Sequence, residues 1–241
     1  MLVHLRLTLS ASELALLPFE LAKVPVGPGA AAETWLAIQT RPPVCVTRNI
    51  RTVSSEGVAW PERPRILFIS GEPDPDLFIQ HRTALIEAIQ PFLKPDERKV
   101  ADRQDEKAAL QSFGDLLTIL RNPTLDEVMR ECREHRYTHI HVLAHGDLYR
   151  LSPDLYGVVL RGRDDDPDIV SGERFATALT VIDEGCIHRP TVVTIAACDS
   201  ANLGTVVIPG ASFAHALHLA GIPLVVASQF PLSMAGSVPL V

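Results

Sequence analysis

Four short apolar runs constrain this chain more than any other feature. They are Arg65-Ile66-Leu67-Phe68-Ile69-Ser70-Gly71, Thr138-His139-Ile140-His141-Val142-Leu143-Ala144, Thr191-Val192-Val193-Thr194-Ile195-Ala196-Ala197 and Pro223-Leu224-Val225-Val226-Ala227-Ser228. Each is rich in β-branched residues and too short for a core helix, which reads as a buried strand. Helical spacing separates them. Apolar residues recur at helical intervals over residues 77–93, and Thr124 with Glu127 three positions later forms a capping box ahead of a helix to His135. Further helices fit residues 172–179 and 212–220. Strands apolar on both faces, alternating with helices, predict an α/β fold whose mostly parallel sheet is covered on both sides.

The first part of the chain differs in texture. It opens with an extended segment near residues 5–9, then a partly helical stretch over residues 12–21, then a strand near residues 44–47. Pro and Gly cluster at residues 24–29 and 61–75 and mark loops. The expected organisation is a β-rich N-terminal elaboration over residues 1–60 and a core over residues 61–241.

Composition removes several function classes. A formal net charge of −7 opposes generic binding to nucleic acid, which needs a basic stripe. No apolar run reaches the roughly 20 residues of a membrane span. The start, Met1-Leu2-Val3-His4-Leu5-Arg6-Leu7, alternates like a strand and lacks the plan of a signal peptide. Cys45, Cys132, Cys186 and Cys198 form no CxxC pair, so neither a zinc site nor a disulfide framework is expected, and a reducing cytoplasm fits. No GxxxxGK[ST] phosphate loop occurs, and no cofactor is expected.

The chemistry is expected at one edge of the sheet. Catalytic groups in parallel sheets sit beyond the carboxyl ends of the strands. His145 and Cys198 each follow directly on a predicted strand, and His145 lies 53 residues before Cys198. A histidine beside a cysteine makes thiolate available near neutral pH. Gly146 leaves room for a substrate carbonyl, and its N–H with that of Cys198 can receive an oxyanion.

Three strings carry a family resemblance. His141-Val142-Leu143-Ala144-His145-Gly146, Ile195-Ala196-Ala197-Cys198-Asp199-Ser200-Ala201 and Leu224-Val225-Val226-Ala227-Ser228-Gln229-Phe230-Pro231 resemble the signature blocks of the CHAT domain, a prokaryote-rich family of peptidases similar to caspases and separase. Leu17-Pro18-Phe19-Glu20-Leu21 resembles an earlier element of that family, and residues 65–69 resemble its first core strand. Phe230 stands where Trp is common, and the chain stops at Val241 where the family usually continues with further helix and strand. The core therefore reads as truncated at its C-terminus. The resemblance implies a caspase-like α/β/α sandwich, with His145 as catalytic base and Cys198 as nucleophile. It further implies a protein substrate and an upstream sensor protein, with bacterial defence systems, including those with pore-forming gasdermin-like targets, as a setting. The alternative is a catalytically inactive module that binds an extended peptide along the sheet edge.

Other features compete for a role. Asp199 and Asp147 flank the two catalytic positions and, with Gln229, are expected to line the substrate cleft, where two carboxylates would favour Arg or Lys. His139, His141 and His145 share parity along one strand and, with Asp147, raise a metal reading, although no metal is the preferred expectation. Asp164, Asp165, Asp166 and Asp168 read as a solvated turn, with a calcium site as the functional alternative. Cys45, Cys132 and Cys186 default to structural roles.

Overall fold

The computed structural model describes residues 3–9, 17, 19–24, 34–36, 44–50, 60–71, 74–93, 113, 116–148, 156–197 and 213–227. The chain divides into two compact units, Met1–Gly57 and Val58–Val241. In the first, β1 (Val3–Leu9) pairs in parallel with β4 (Val44–Ile50), and the short β2 (Lys23–Val24) pairs antiparallel with β3 (Thr34–Trp35). Between residues 12 and 21, the expected helical stretch is described only as a 3-10 turn at Phe19–Leu21.

The second unit is built on a five-stranded sheet. Its strands are β5 (Ile66–Ser70), β6 (Leu117–Arg121), β7 (His139–Leu143), β13 (Val192–Ala196) and β14 (Leu224–Ala227), in the order β14-β13-β7-β5-β6. Every pairing is parallel. Helix α1 (Pro75–Ile89) lies on one face, and α2 (Leu125–Glu134), α3 (Gly172–Leu179) and α4 (Phe213–Leu219) belong to the core on the other. Helices on both faces of a parallel sheet give the expected caspase-like α/β/α sandwich.

Alternation along the strands assigns the two faces. Phe68 and Leu143 pack under Leu77, Phe78, Leu85 and Ile89 of α1, and Phe68 stacks on Phe78 at 5.4 Å between ring centroids. Leu67, Val142 and Ile195 point the other way, into a core with Val128, Phe175 and Leu217 from the three helices. Burying each such side chain contributes roughly 1.5–3 kcal/mol.

The helices begin where their caps dictate. Asp74 caps α1, its Oδ1 accepting the N–H of Asp76 at 2.8 Å and of Leu77 at 3.3 Å, with Pro75 next in the chain. The capping box of α2 is complete: Thr124 N–H donates to Glu127 Oε2 at 2.7 Å, and Glu127 N–H donates to Thr124 Oγ1 at 3.2 Å. Helical spacing past residue 89 ends as a 3-10 turn at Gln90–Phe92, with Pro91 denying a backbone donor.

Two smaller sheets are described in the same unit. β8 (Gly146–Leu148), β9 (Tyr156–Arg161) and β10 (Pro167–Ser171) form an antiparallel sheet in the order β10-β9-β8. β11 (Val181–Asp183) and β12 (Cys186–His188) form a hairpin whose turn residues, Glu184 and Gly185, both have positive φ (47° and 80°), as a two-residue turn with right-handed twist requires.

Candidate active site

The carboxyl edge of the large sheet is organised by register. Leu143 of β7 lies between Ser70 of β5 and Ala196 of β13. Beyond that level, Ala144 N–H donates to the carbonyl of Ala196 at 3.3 Å, so the two strands stay together for one more residue. His145 follows. It is exposed, so it sits past the sheet rather than within it.

One strand holds this edge in place. β9 runs across the ends of β7, β5 and β6. The N–H of Val159 donates to the His145 carbonyl at 2.8 Å, and the N–H of Arg161 donates to the Pro123 carbonyl at 3.1 Å. Between them, a Cβ placed on Gly71 would stand 2.5 Å from the Val159 carbonyl oxygen. Only glycine permits that approach. Gly71 N–H in turn donates to the Leu143 carbonyl at 2.8 Å. The His145 carbonyl is therefore tied to β9, and the Leu143 carbonyl two residues earlier is tied to Gly71 just past β5.

The β8–β9 pairing also orients Gly146. Hydrogen-bonded and non-bonded pairs alternate along an antiparallel ladder. His145 and Val159 make the bonded pair, so Gly146 opposite Val158 falls in the non-bonded position, its N–H directed away from β9. Asp147 is exposed and lies opposite Gly157.

Of the residues singled out in the sequence, His145, Gly146 and Asp147 thus come together at the carboxyl edge. Cys198, Asp199 and Gln229 lie outside the described residues, which end on β13 at Ala197 and on β14 at Ala227. Cys132 is excluded as a nucleophile. It is buried against the helix-covered face, and burial, reinforced by the charge of Glu131, pushes its thiol up to about 12. Cys45 and Cys186 are exposed.

The shared face expected for three histidines holds for two. β7 ends at Leu143, so His139 and His141 share the face under α1 while His145 lies beyond the strand. His141 is buried and its Nε2 lies 2.9 Å from His81 Nδ1 on α1, a partner that residue spacing alone does not reveal. His139 Nδ1 lies 2.8 Å from the Thr138 hydroxyl. Burial pushes His81 down to about 4, and burial together with His81 pushes His141 down to about 3, so both are neutral near pH 7. The acidic run is divided between elements: Asp164 and Asp165 occupy a 3-10 turn, whereas Asp168 belongs to β10 and its carboxylate takes two hydrogen bonds of 2.8 Å from Arg174. Among the described residues the group with metal-ligand spacing is Glu131, Glu134 and His135 on and just after α2, largely exposed. Glu131 there already accepts the Tyr137 hydroxyl.

The CHAT domain model matches residues 2–241. The chain belongs to the CHAT domain family. This is a family of caspase-like cysteine peptidases, which accords with the parallel sheet, its helices on both faces and a histidine-glycine pair at the carboxyl edge. No curated protein matches this CHAT domain in sequence. No described helix is long and apolar enough to cross a membrane. Two residues at this edge carried no functional reading in the sequence: Val159, which bonds the His145 carbonyl, and Gly71, whose lack of a side chain lets Val159 approach. Gly71 was visible as a glycine closing an apolar run. Val159 carries no signal of its own, because its role is a backbone hydrogen bond.

Proposed function

We propose that this CHAT domain is a cysteine endopeptidase that cuts a specific protein partner through Cys198 and His145. The observation that carries the reading is the register of β7 and β13. Leu143 and Ala196 are paired, and His145 and Cys198 each follow two residues later. Neighbouring strands are about 4.8 Å apart, so the described strand ends at Ala144 and Ala197 lie side by side, and the reading continues each by one residue to His145 and Cys198.

In this reading His145 takes the proton of the Cys198 thiol, and the thiolate attacks the scissile carbonyl. The carbonyl oxygen becomes an oxyanion held by the N–H groups of Gly146 and Cys198. The C–N bond breaks as His145 returns the proton to the departing amine, leaving a thioester on Cys198. Water, deprotonated by His145, then attacks the thioester, and the carboxylic acid and the free thiol are released. The outward N–H of Gly146 supports its place in this scheme. Asp147, Asp199 and Gln229 line the substrate cleft, and the two carboxylates favour Arg or Lys before the scissile bond. Family membership supports a setting in bacterial defence, with an upstream sensor and a gasdermin-like protein among candidate targets.

Labelling with a peptidyl acyloxymethyl ketone tests the dyad. Modification is expected on Cys198, slowed about a hundredfold or more by His145→Ala. Labelling that follows exposure alone, at Cys45 and Cys186, or that is indifferent to His145→Ala, defeats the reading.

A further inference from the structure

At the end of the sheet away from His145, a cavity of about 290 Å³ opens between α1 and the strands. Its walls differ in kind. One is the sheet, where His139 and His141 of β7 stand beside Thr194 of β13, and Thr194 is paired directly with His141. The other is apolar, formed by Leu85, Ala88 and Phe92 on α1 and the turn after it. Trp60 stands at the mouth, 61% exposed, and Phe92 is 44% exposed.

The polar wall has hydrogen-bonding capacity to spare. Thr194 Oγ1 bonds to no other described residue. Nε2 of His141 is engaged by His81 and Nδ1 of His139 by Thr138, which leaves one nitrogen on each imidazole with no partner among the described residues. Both rings are depressed below the ordinary histidine range by burial, so this wall presents neutral donors and acceptors rather than charge. A charge brought into this cavity would meet no counter-charge among its lining residues and would lose its hydration.

We propose that this cavity is a binding site for an uncharged, flat aromatic compound of one or two rings with one hydrogen-bonding edge. The ring lies between the aliphatic wall of α1 and the sheet, with Trp60 and Phe92 closing over it. The polar edge meets Thr194 and the two histidines. A volume near 300 Å³ is at the lower bound for small-molecule pockets, which sets the one-to-two-ring limit. The site lies at the opposite end of the sheet from His145 and stands whether or not Cys198 is a nucleophile.

Indole, titrated into the full chain and followed by amide chemical shifts, is the test. Saturable binding is expected with a Kd below about 1 mM, with shifts at residues 60, 88, 92, 139 and 194. Ala88→Phe, at an exposed helical position whose added ring fills the cavity, is expected to weaken binding at least tenfold. Thr194→Val, which keeps the shape and removes the hydroxyl, is expected to weaken it about threefold to tenfold. Indole-3-carboxylate is expected to bind at least tenfold more weakly than indole. Circular dichroism of both variants confirms that they remain folded. Absence of saturation at several millimolar indole, equal affinity for the Ala88→Phe variant, or tighter binding of the carboxylate would each overturn the proposal.

Discussion

Replacing the buried His81–His141 pair by leucines should flatten the acid dependence of stability. The two imidazoles are 2.9 Å apart, His81 fully buried and His141 3% exposed. Folding holds His81 at about 4 and His141 at about 3, against about 6.5 in an unfolded chain. Below pH 6.5 the unfolded state therefore binds protons that the folded state refuses. The stability is present in full above pH 6.5 and is lost as pH falls towards the folded values. The slope is about 1.4 kcal/mol per pH unit for each ring, and from pH 7.5 to pH 5 the pair together costs about 4 kcal/mol. Against a typical total of about 5–15 kcal/mol, that loss brings the fold close to its limit. His139 and His215 are depressed in the same direction and add to it. Urea unfolding followed by far-UV circular dichroism, repeated across this range, gives the slope. The His81→Leu, His141→Leu double variant is expected to retain only the slope of the remaining groups. A double variant that loses as much stability as the wild type between pH 7.5 and pH 5 would refute the reasoning.

Three further outcomes follow from named contacts. Gly71→Ala forces β9 away from the end of β5 and is expected to cost about 1–3 kcal/mol in urea unfolding and to slow labelling of Cys198 at least tenfold, because His145 shares that anchor. Thr124→Ala removes one arm of the α2 capping box and is expected to lower stability by about 1 kcal/mol, leaving labelling unchanged. Exhaustive chelation is expected to leave labelling of Cys198 intact; loss of labelling restored by zinc would promote a metal role for the edge histidine.

The large sheet was legible because its central strands are buried on both faces. β5, β7 and β13 must be apolar at nearly every position, and a run such as Ile66-Leu67-Phe68-Ile69 admits few other readings. β6 escaped notice because it lies at the sheet border, with three of its five residues only half-buried and Arg121 exposed. Its strand character comes from pairing with β5, not from its own pattern. The α2 cap was legible to the residue, since a capping box is local chemistry. The His81–His141 contact joins residues 60 apart in sequence through packing of α1 on β7, and no periodicity announces it.

The same distinction separates the two halves of the candidate site. Which residue types stand at the carboxyl edge is a matter of strand length, and sequence sets it: β7 runs out of apolar residues at Ala144, so His145 meets solvent. How His145 is held is a matter of β9, a strand that the sequence pattern does not single out and whose neighbour it does not indicate. β9 takes its place because three backbone groups at the edge need partners or space: the His145 carbonyl, the Pro123 carbonyl and the bare face of Gly71. An unpaired buried carbonyl costs about as much as a lost hydrogen bond, so a strand laid across these ends relieves that cost at the buried Pro123 and also pairs the His145 carbonyl. The Arg161 side chain extends the same clamp, its Nε donating to the Asn122 carbonyl at 2.8 Å and its Nη2 to Glu127 at 2.9 Å. Asn122 has positive φ, 46°, which turns the chain from β6 towards α2 and presents that carbonyl to Arg161. The edge on which a peptidase reading depends is thus positioned by main-chain chemistry, with side-chain identity decisive at glycine and at arginine.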